Sequence, residues 1–244
     1  MKTVILGDIH GRDCWKQIVA SESPNRVIFV GDYFDSFDNT AVEQMHNFKE
    51  IIDWKHSGQS EVIMLIGNHD FHYMDGSERY SGFQSGASPA ISDLLFSNEK
   101  NMQMAYEMDG YLFTHAGVSS DWYNYWMKML HLDDGNIADN INEMWKASSR
   151  PFRFTGFNPY GDSKESSPIW IRPKSLQKSN RDTLRDQFIQ VVGHTTQGKI
   201  DTEGKSTGGR YYYIDTLGTS GQYMVLEQIS TNNGELTFPT YKNK

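Results

Sequence analysis

The chain has 244 residues, of which 37% are hydrophobic and 22% are charged, and this composition is typical of a folded protein rather than a disordered one. Its formal net charge is −8 and it has no dense cluster of lysine and arginine, so neither a nucleic acid nor an anionic membrane is expected as a partner. No run approaches the roughly 18 apolar residues that a membrane-spanning helix needs.

Five short apolar runs recur along the chain, each followed by glycine or threonine and then by residues of the kind that bind metals. The runs are residues 4–6, 27–30, 62–66, 111–113 and 189–192, and the segments after them begin Gly7-Asp8-Ile9-His10, Gly31-Asp32, Gly67-Asn68-His69, Thr114-His115 and Gly193-His194. Continuous β-branched runs predict strands that are buried on both faces. Because α/β sheets bind ligands beyond the carboxyl ends of their strands, we expect these polar side chains to meet at one sheet edge.

Helices are predicted between these strands. Thr40 and Glu43 fit a capping box at the start of one helix, and Gly58 lies beyond its end. Ser88 and Pro89 predict the N-cap and the first position of another helix.

Residues 13–20 form a shorter helix candidate that contains Cys14, the only cysteine of the chain. A single cysteine excludes an internal disulfide and is typical of a reducing compartment. Since the N-terminus lacks the long apolar run of a secretory signal, we predict a cytoplasmic location.

Residues 119–180 differ in composition from the rest of the chain, because aromatic residues are frequent in a stretch that is also rich in Ser, Asn, Pro and Gly. The stretch lies between the fourth and fifth predicted strands, so we interpret it as a helical insertion within a single domain of residues 1–244. Its aromatic side chains form the core of the insertion in the preferred interpretation, and stack on a nucleobase in the alternative one.

The C-terminal part of the chain predicts two more strands, at residues 210–214 and 222–229. A turn at residues 218–221 separates them. Their alternation of apolar and polar residues favours an antiparallel sheet.

The polar residues at the five strand ends form a ligand set that is too large for one metal ion. Two carboxylates, three imidazoles and one amide oxygen exceed the four ligands of a zinc site, and they fit two divalent ions. The natural partition gives one ion Asp8, His10 and Asp32, and the other Asp32, Asn68, His115 and His194. Asp32 would bridge the two ions.

Two such ions predict a phosphoesterase. Metals about 3.5–4 Å apart can hold a bridging hydroxide at neutral pH and stabilise both the attacking and the leaving oxygen of a phosphoryl displacement. Two divalent ions, two aspartates and one hydroxide leave a charge of about +1, which favours an incoming phosphate. His69 is not needed as a ligand and is the candidate general acid for the leaving oxygen. Asp35 would hold its imidazole in the protonated form.

The motifs GDIHG, GDYFD, GNHD, THAG and VGHT, in this order, resemble those of the calcineurin-like metallophosphoesterase family. With IDTLG near Asp215, the resemblance spans most of the chain. Within the family, the motifs are similar to those of the branch that holds Ser/Thr protein phosphatases, small bacteriophage and bacterial phosphatases, and symmetrical diadenosine tetraphosphatases. It implies an α/β fold, a four-layer sandwich of two mixed β-sheets flanked by helices. It also implies metals at the six ligand positions given above, with His69 and Asp35 as the general-acid pair.

One motif departs from the family pattern. Protein phosphatases of the family carry GDxxDR, whereas this chain has Ser36 in place of the arginine. Serine cannot replace the charged, two-point contact of arginine with phosphate. Arg172 is the candidate substrate-binding cation that compensates, and Arg12 is a second candidate.

The leading hypothesis is a phosphomonoesterase similar to Ser/Thr protein phosphatases, acting on a phosphoprotein or a small phosphoester. The alternative substrate is a dinucleoside polyphosphate, and a phosphodiester comes third. A hypothesis from another class, a non-catalytic protein-binding scaffold of the same fold, is disfavoured because every ligand histidine is present. Mn²⁺ is the first candidate metal, with Fe, Zn, Co and Ni as alternatives, since all accept mixed nitrogen and oxygen ligands. Oligomeric state is not predicted.

Overall fold

The computed structural model describes residues 1–76, 78–132, 135–155, 161–179, 184–202, 210–231 and 234–243. Its helices are α1 (Cys14–Glu22), α2 (Ala41–Ser57), α3 (Asn68–Asp75), α4 (Ser88–Ser97), α5 (Ser120–Leu130), α6 (Ile137–Ala147), α7 (Arg150–Arg153), α8 (Pro173–Ser179) and α9 (Leu184–Gln187). Its strands are β1 (Lys2–Leu6), β2 (Arg26–Phe29), β3 (Glu61–Leu65), β4 (Met102–Gln103), β5 (Ala105–Met108), β6 (Tyr111–Thr114), β7 (Ile189–Val192), β8 (Asp201–Thr202), β9 (Tyr211–Tyr213), β10 (Gln222–Thr231) and β11 (Gly234–Asn243). None of the helices in these ranges is both long and apolar enough to cross a membrane.

The strands form two mixed sheets. The first has the order β11-β10-β1-β2-β3-β4, with β1 to β4 parallel and with β10 and β11 antiparallel to their neighbours. The second has the order β5-β6-β7-β9-β8, with β6, β7 and β9 parallel and the two edge strands antiparallel. The predicted α/β fold with two mixed sheets is confirmed.

Apolar side chains hold the sheets face to face, with helices on their outer sides. Ile5 of β1 and Ile28 of β2 share a buried cluster with Phe113 of β6, so this cluster lies between the sheets. Val4 and Leu6, which point to the other face of β1, pack in a second cluster that contains residues of α1 and α2. Because both faces of β1 are covered, the strand is apolar throughout, as its sequence predicted.

Two predicted helix starts agree closely with the structure. At the start of α2, the Thr40 hydroxyl accepts from Glu43 N (3.3 Å) and the Glu43 carboxylate accepts from Thr40 N (2.7 Å), so the predicted capping box is confirmed. Gly58 ends this helix with a left-handed φ of 69°. Helix α4 begins one residue earlier than predicted, with Ser88 as its first residue and Pro89 as its second.

The prediction for the C-terminal strands is wrong in its pairing. Strand β9 lies in the second sheet and runs parallel to β7, whereas β10 lies in the first sheet, antiparallel to β1 and β11. The segment 214–221 therefore carries the chain from one sheet to the other and does not close a hairpin. Alternation of apolar and polar residues indicates a strand, but it carries no information about which strand is the partner.

The segment 119–180 contributes α5, α6, α7 and α8, while residues 133–134, 156–160 and 180, including Phe157, lie outside the described residues. Trp122, Trp126 and Phe152 are buried in the main apolar cluster. Packing is therefore the role of these three rings, as in the preferred interpretation. Trp170 differs, because its ring lies edge-on to the His194 ring with the centroids 5.6 Å apart.

Candidate functional site

The predicted site residues follow strands of both sheets. Asp8, Asp32 and Asn68 come after β1, β2 and β3 of the first sheet, whereas His115 and His194 come after β6 and β7 of the second. The expectation that all of them lie at one sheet edge is therefore wrong. They meet because the two sheets are packed together and present the carboxyl ends of these strands to the same region.

Donor atoms of Asp32, Asn68, His115 and His194 converge on a small volume. His115 Nε2 and His194 Nδ1 each lie 2.9 Å from Asn68 Oδ1, and His115 Nε2 lies 3.3 Å from Asp32 Oδ2. Ligand atoms that sit about 2.1 Å from one ion are roughly 3 to 3.4 Å from each other. The spacing of these four side chains therefore fits a single shared cation.

Asp8 and His10 lie on the other side of Asp32. Ligand atoms of Asp8, Asp32 and His115 lie within 4.8 Å of one another, and His10 Nε2 is 3.8 Å from Asp32 Oδ2. The backbone N–H of His194 lies 3.1 Å from both carboxylate oxygens of Asp8 and holds this side chain in place. Asp32 is thus the residue that lies between the two predicted groups of ligands.

Backbone carbonyls orient two of the histidines. His10 Nδ1 lies 2.6 Å from the carbonyl oxygen of Phe34, and His115 Nδ1 lies 2.9 Å from that of Val30. Since a carbonyl oxygen only accepts, each Nδ1 carries a proton and donates it, and each Nε2 is the nitrogen left to face the site. This is the tautomer that a histidine needs in order to bind a metal through Nε2.

The third histidine presents its two ring nitrogens in different directions. His194 Nδ1 belongs to the convergent group, 2.9 Å from Asn68 Oδ1, whereas Nε2 is buried and has no hydrogen-bond partner among the described residues. Only Nδ1 therefore counts toward the ligand group. The set of carboxylate and amide oxygens and imidazole nitrogens fits divalent metal ions.

The charges of the buried side chains at the site also favour a bound cation. Burial and the nearby Asp215 raise the pKa of Asp8 well above its usual range. For His115, burial opposes protonation, but the Asp32 charge outweighs it and raises the pKa to about 10. Asp8 and Asp32 are both buried and within 4.8 Å of each other, so their charges repel, and a divalent cation between them would offset this repulsion.

Four of the site residues have left-handed backbone conformations. The φ angles are 42° at His10, 53° at Asp32, 65° at Asp35 and 64° at His194. Residues other than glycine adopt such angles rarely, and they cluster at functional sites where the surrounding structure holds them. The backbone strain therefore lies where the candidate ligands are.

Two of the motif glycines make room for the carboxylates. A Cβ atom at Gly67 would lie 2.1 Å from Asp32 Oδ1, and one at Gly193 would lie 2.1 Å from Asp8 Oδ1. Gly67 and Gly193 themselves have no left-handed φ. The close approach of a neighbouring side chain explains why glycine is present at these two positions.

The predicted pair His69 and Asp35 is in contact, and two further residues join it. His69 Nδ1 lies 2.8 Å from Asp35 Oδ2, His72 Nε2 lies 2.8 Å from the same oxygen with a poorly aligned N–H, and Tyr73 donates its hydroxyl to Asp35 Oδ1. Although burial alone raises the pKa of Asp35, its contacts with these three side chains lower it. The carboxylate is therefore held ionised and oriented.

The sequence motifs do not single out His72 or Tyr73. Both are buried. A signal was available, because His72 and Tyr73 follow His69 by three and four residues on α3, which places all three on one helix face.

Asp70 has a structural role at the base of the site. Its carboxylate accepts hydrogen bonds from the backbone N–H groups of Asp32 (2.8 Å), Tyr33 (2.8 Å) and Gly67 (2.9 Å). Burial and the neighbouring Asp32 raise its pKa to about 7, against the opposing effect of these N–H groups. Asp70 thus joins the loops that follow β2 and β3.

Replacing Asp70 with asparagine is expected to destabilise the fold. The amide nitrogen would face backbone N–H groups, leaving at least one buried donor unpaired, at a cost of about 3 kcal/mol. Urea unfolding monitored by circular dichroism measures the free energy of unfolding. The exposed Asp53 on α2 offers a matched control, since Asp53→Asn should change this free energy by about 0.5 kcal/mol or less. If the free energy of unfolding of Asp70→Asn equalled that of Asp53→Asn, Asp70 would not stabilise the two loops.

The two candidate arginines lie in different places. Arg172 Nη1 donates to the carbonyl oxygen of His194 (3.3 Å) and to the Thr195 hydroxyl (3.1 Å), beside the candidate ligands. Arg12 lies 3.5 Å from the carbonyl oxygen of Asp8 and lines a separate cavity between α1 and α2. Only Arg172 is therefore positioned at the opening of the ligand cluster.

Ser36 does not take the place of the missing arginine. Its hydroxyl accepts hydrogen bonds from the backbone N–H groups of Asp38 (3.1 Å) and Asn39 (3.0 Å). The residue therefore stabilises the turn that precedes α2.

A cavity of about 320 Å³ opens beside the candidate metal ligands. Asn68, His69 and His194 line its inner side, Trp170 and Arg172 contribute from the insertion, and residues 79–81 complete it. Two larger cavities among the described residues contain none of the candidate ligands, so this one is the candidate substrate pocket.

Comparison with protein families supports the motif assignment. The family model described as calcineurin-like phosphoesterase matches residues 1–198. Among curated proteins, the symmetrical bis(5'-nucleosyl)-tetraphosphatase of Methylobacillus flagellatus is 24% identical over 135 residues, which are 50% of this chain and 45% of that protein. The protein of the same name from Xylella fastidiosa is 23% identical over 165 residues, 63% of this chain and 51% of that protein. The chain thus spans about half the length of the curated relatives it matches.

A solved structure shares the fold. The cold-active protein-tyrosine phosphatase of a psychrophilic Shewanella sp. superposes with a TM-score of 0.64 and 18% sequence identity. The superposition covers 98% of this chain and 80% of that protein. At this level of identity the similarity establishes the arrangement of sheets and helices.

Proposed function

The chain belongs to the calcineurin-like phosphoesterase family, and we propose that it hydrolyses phosphate esters with the help of two divalent metal ions. The observation that carries the proposal is the convergence of donor atoms from Asp32, Asn68, His115 and His194, with separations of 2.9 to 3.3 Å. Asp8 and His10 on the other side of Asp32 support a second ion. Mn²⁺ is the proposed metal, with Fe, Zn, Co and Ni as alternatives.

The residues would divide the work of the reaction. When bound, the two ions supply positive charge for the phosphate and an activated water as nucleophile. Asp32 would hold both ions, because its Oδ2 lies 3.3 Å from His115 Nε2 of one ligand group and 3.8 Å from His10 Nε2 of the other. His69 would donate a proton from Nε2 to the leaving oxygen, since its Nδ1–H is held by Asp35. Although burial lowers the pKa of His69, the charges of Asp32 and Asp35 raise it overall, which favours the proton-carrying form.

Two substrate classes are proposed. A phosphomonoester, including a phosphoprotein, is the first and follows from the sequence motifs. A dinucleoside polyphosphate is the second, and the names of the curated relatives favour it. Arg172 is the proposed contact to the substrate phosphate. A substrate contact of Arg12 stays a prediction, because Arg12 lines a different cavity. A scaffold without activity is disfavoured because the ligand cluster is complete.

Two broader proposals accompany this function. The single free Cys14 supports work in a reducing compartment, and we propose the cytoplasm. The shared apolar cluster of the sheets and the segment 119–180 supports the proposal that this segment is an insertion within one domain.

Elemental analysis combined with a substrate panel tests the function. Protein purified without chelators is expected to carry close to two divalent ions per chain and to hydrolyse at least one phosphoester when Mn²⁺ is added. Removal of metal by a chelator should abolish the activity, and Mn²⁺ should restore it. A protein that binds no metal, or that carries two metals but hydrolyses neither monoesters, diesters nor dinucleoside polyphosphates, would refute the proposal and favour the scaffold.

A further inference from the structure

The substrate pocket has a wall that none of the predicted site residues supplies. Residues 79–83 follow α3 and are called here the outer segment. Arg79, Tyr80 and Ser81 of this segment line the same cavity as the candidate ligands Asn68 and His194. A substrate that fills the cavity therefore contacts the outer segment as well as the ligand cluster.

Aromatic contacts hold the outer segment in place. The Tyr80 ring stacks on the His72 ring, with centroids 5.9 Å apart and planes within 7°, and the Tyr80 backbone N–H donates to His72 Nδ1 at 3.4 Å. The Arg79 guanidinium lies over the Phe83 ring, 4.9 Å from its centroid. No hydrogen bond or ion pair joins this guanidinium to a described residue. Arg79 is thus positioned by packing, with its N–H groups available to a ligand.

The two arginines of the pocket lie at different depths. Arg172 is partly buried and donates to the carbonyl oxygen of His194, one of the candidate ligands. Arg79 is exposed at the rim. Positive charge therefore extends from the candidate metal ligands outward through the cavity.

Two arginines add positive charge to the pocket beyond that of the ions. Two divalent ions, Asp8, Asp32 and one hydroxide leave about +1, so the dianion of a phosphomonoester would leave about −1 beside the ligands. Arg172, which lies near Asp162 and donates to the carbonyl oxygen of His194, adds positive charge there. Arg79 is exposed and lines the same cavity, so its charge is available to a second anionic group of the substrate.

The aromatic residues of the pocket do not form a slot for a nucleobase. The Tyr80 and Trp170 rings contact each other, with centroids 4.2 Å apart, and Trp170 is only 4% exposed. A base cannot enter between two rings at this distance. Recognition inside this cavity therefore depends on phosphate groups.

We propose that Arg79 binds a second phosphate group of the substrate, next to the phosphate that is attacked. The pocket then takes substrates in which at least two phosphates are linked in a chain. This inference rests on the proposed function and selects the oligophosphate class from its two substrate candidates.

Four substrates separate the contribution of the phosphate chain from that of a base. They are p-nitrophenyl phosphate, adenosine monophosphate, Mg²⁺-saturated tripolyphosphate and diadenosine tetraphosphate, assayed with the Mn²⁺-loaded protein. Replacing Arg79 with alanine should lower kcat/KM about tenfold or more for the two chain substrates, because a charged hydrogen bond to phosphate is lost. The two single-phosphate substrates should change less than about threefold. Arg79→Lys should give an intermediate loss for the chain substrates, since it keeps the charge but loses the two-point contact.

Arg150 offers the matched control, because it is an exposed arginine that lines a different cavity. Arg150→Ala should leave kcat/KM unchanged for all four substrates. An equal loss on single-phosphate and chain substrates in Arg79→Ala, or no loss on either, would overturn the inference, as would a wild-type protein that hydrolyses only single-phosphate substrates.

Calorimetry measures binding at the proposed phosphate site independently of hydrolysis. Mg²⁺-saturated tripolyphosphate titrated into the metal-loaded protein should bind about tenfold more weakly to Arg79→Ala than to the wild type. If no substrate is hydrolysed but this difference is found, the proposed function fails and the phosphate site stands. Equal binding to both proteins refutes the phosphate site.

Discussion

Replacing Asp32 with asparagine is expected to remove both metal retention and hydrolysis. Asp32 lies between the two ligand groups, with Oδ2 3.3 Å from His115 Nε2 and 3.8 Å from His10 Nε2. An asparagine side chain has no negative charge, so it cannot offset the charge of two ions. We expect the metal content to fall well below one ion per chain and kcat to fall by about 10³-fold or more, because the charge stabilisation of the metals is lost.

Two measurements make the Asp32 result specific. Elemental analysis of the variant reports metal retention, and circular dichroism reports whether the fold is kept. The exposed Asp93 on α4 is a matched control, and Asp93→Asn should retain both metals and activity. Hydrolysis that survives Asp32→Asn at the wild-type rate would count decisively against a two-metal mechanism.

Replacing His69 with asparagine is expected to slow hydrolysis in a way that depends on the leaving group. His69 is held by Asp35 through Nδ1 and lines the substrate pocket, but its ring is not part of the convergent ligand cluster. The variant should therefore keep its metals. Turnover of substrates with poor leaving groups should slow by about 10² to 10⁴-fold, the usual contribution of general acid catalysis. Activated aryl phosphates, which need little protonation, should slow much less.

The leaving-group dependence separates proton donation from a merely structural effect. A series of aryl and alkyl phosphates, compared between the wild type and His69→Asn, measures it. His56 on α2 is exposed, and His56→Asn should behave as the wild type over the whole series. If activated and poor leaving groups slowed equally in His69→Asn, His69 would not be the general acid.

The strands and the candidate ligand residues were predictable from the sequence for a local reason. A strand that is buried on both faces must be apolar along its whole length. The change from apolar to polar residues before Asp8, Asp32 and His115 therefore marks the end of each strand in the sequence. The five runs are strands in the structure, each within one or two residues of its predicted position. The capping box of Thr40 and Glu43 was predictable for the same reason, since its two partners lie three residues apart.

Other features depend on contacts between distant parts of the chain. The contact of His72 with Asp35 joins residues 37 positions apart, and only the packing of α3 against the loop after β2 creates it. The pairing of β10 with β1 joins the C-terminal part of the chain to its N-terminus. Neither contact leaves a pattern within a short window of sequence, so local reasoning could not find them.

The sequence by itself determined which residues can form strands and which polar side chains follow them, because hydrophobic runs and turn residues act over a few positions. The tertiary structure decided that β6 and β7 belong to a second sheet, and that Asp35 is shared by two histidines and a tyrosine. It also brought Arg79 into the pocket of His194. These arrangements follow from the packing of two sheets and their helices, which is determined by the shape and burial of the whole molecule.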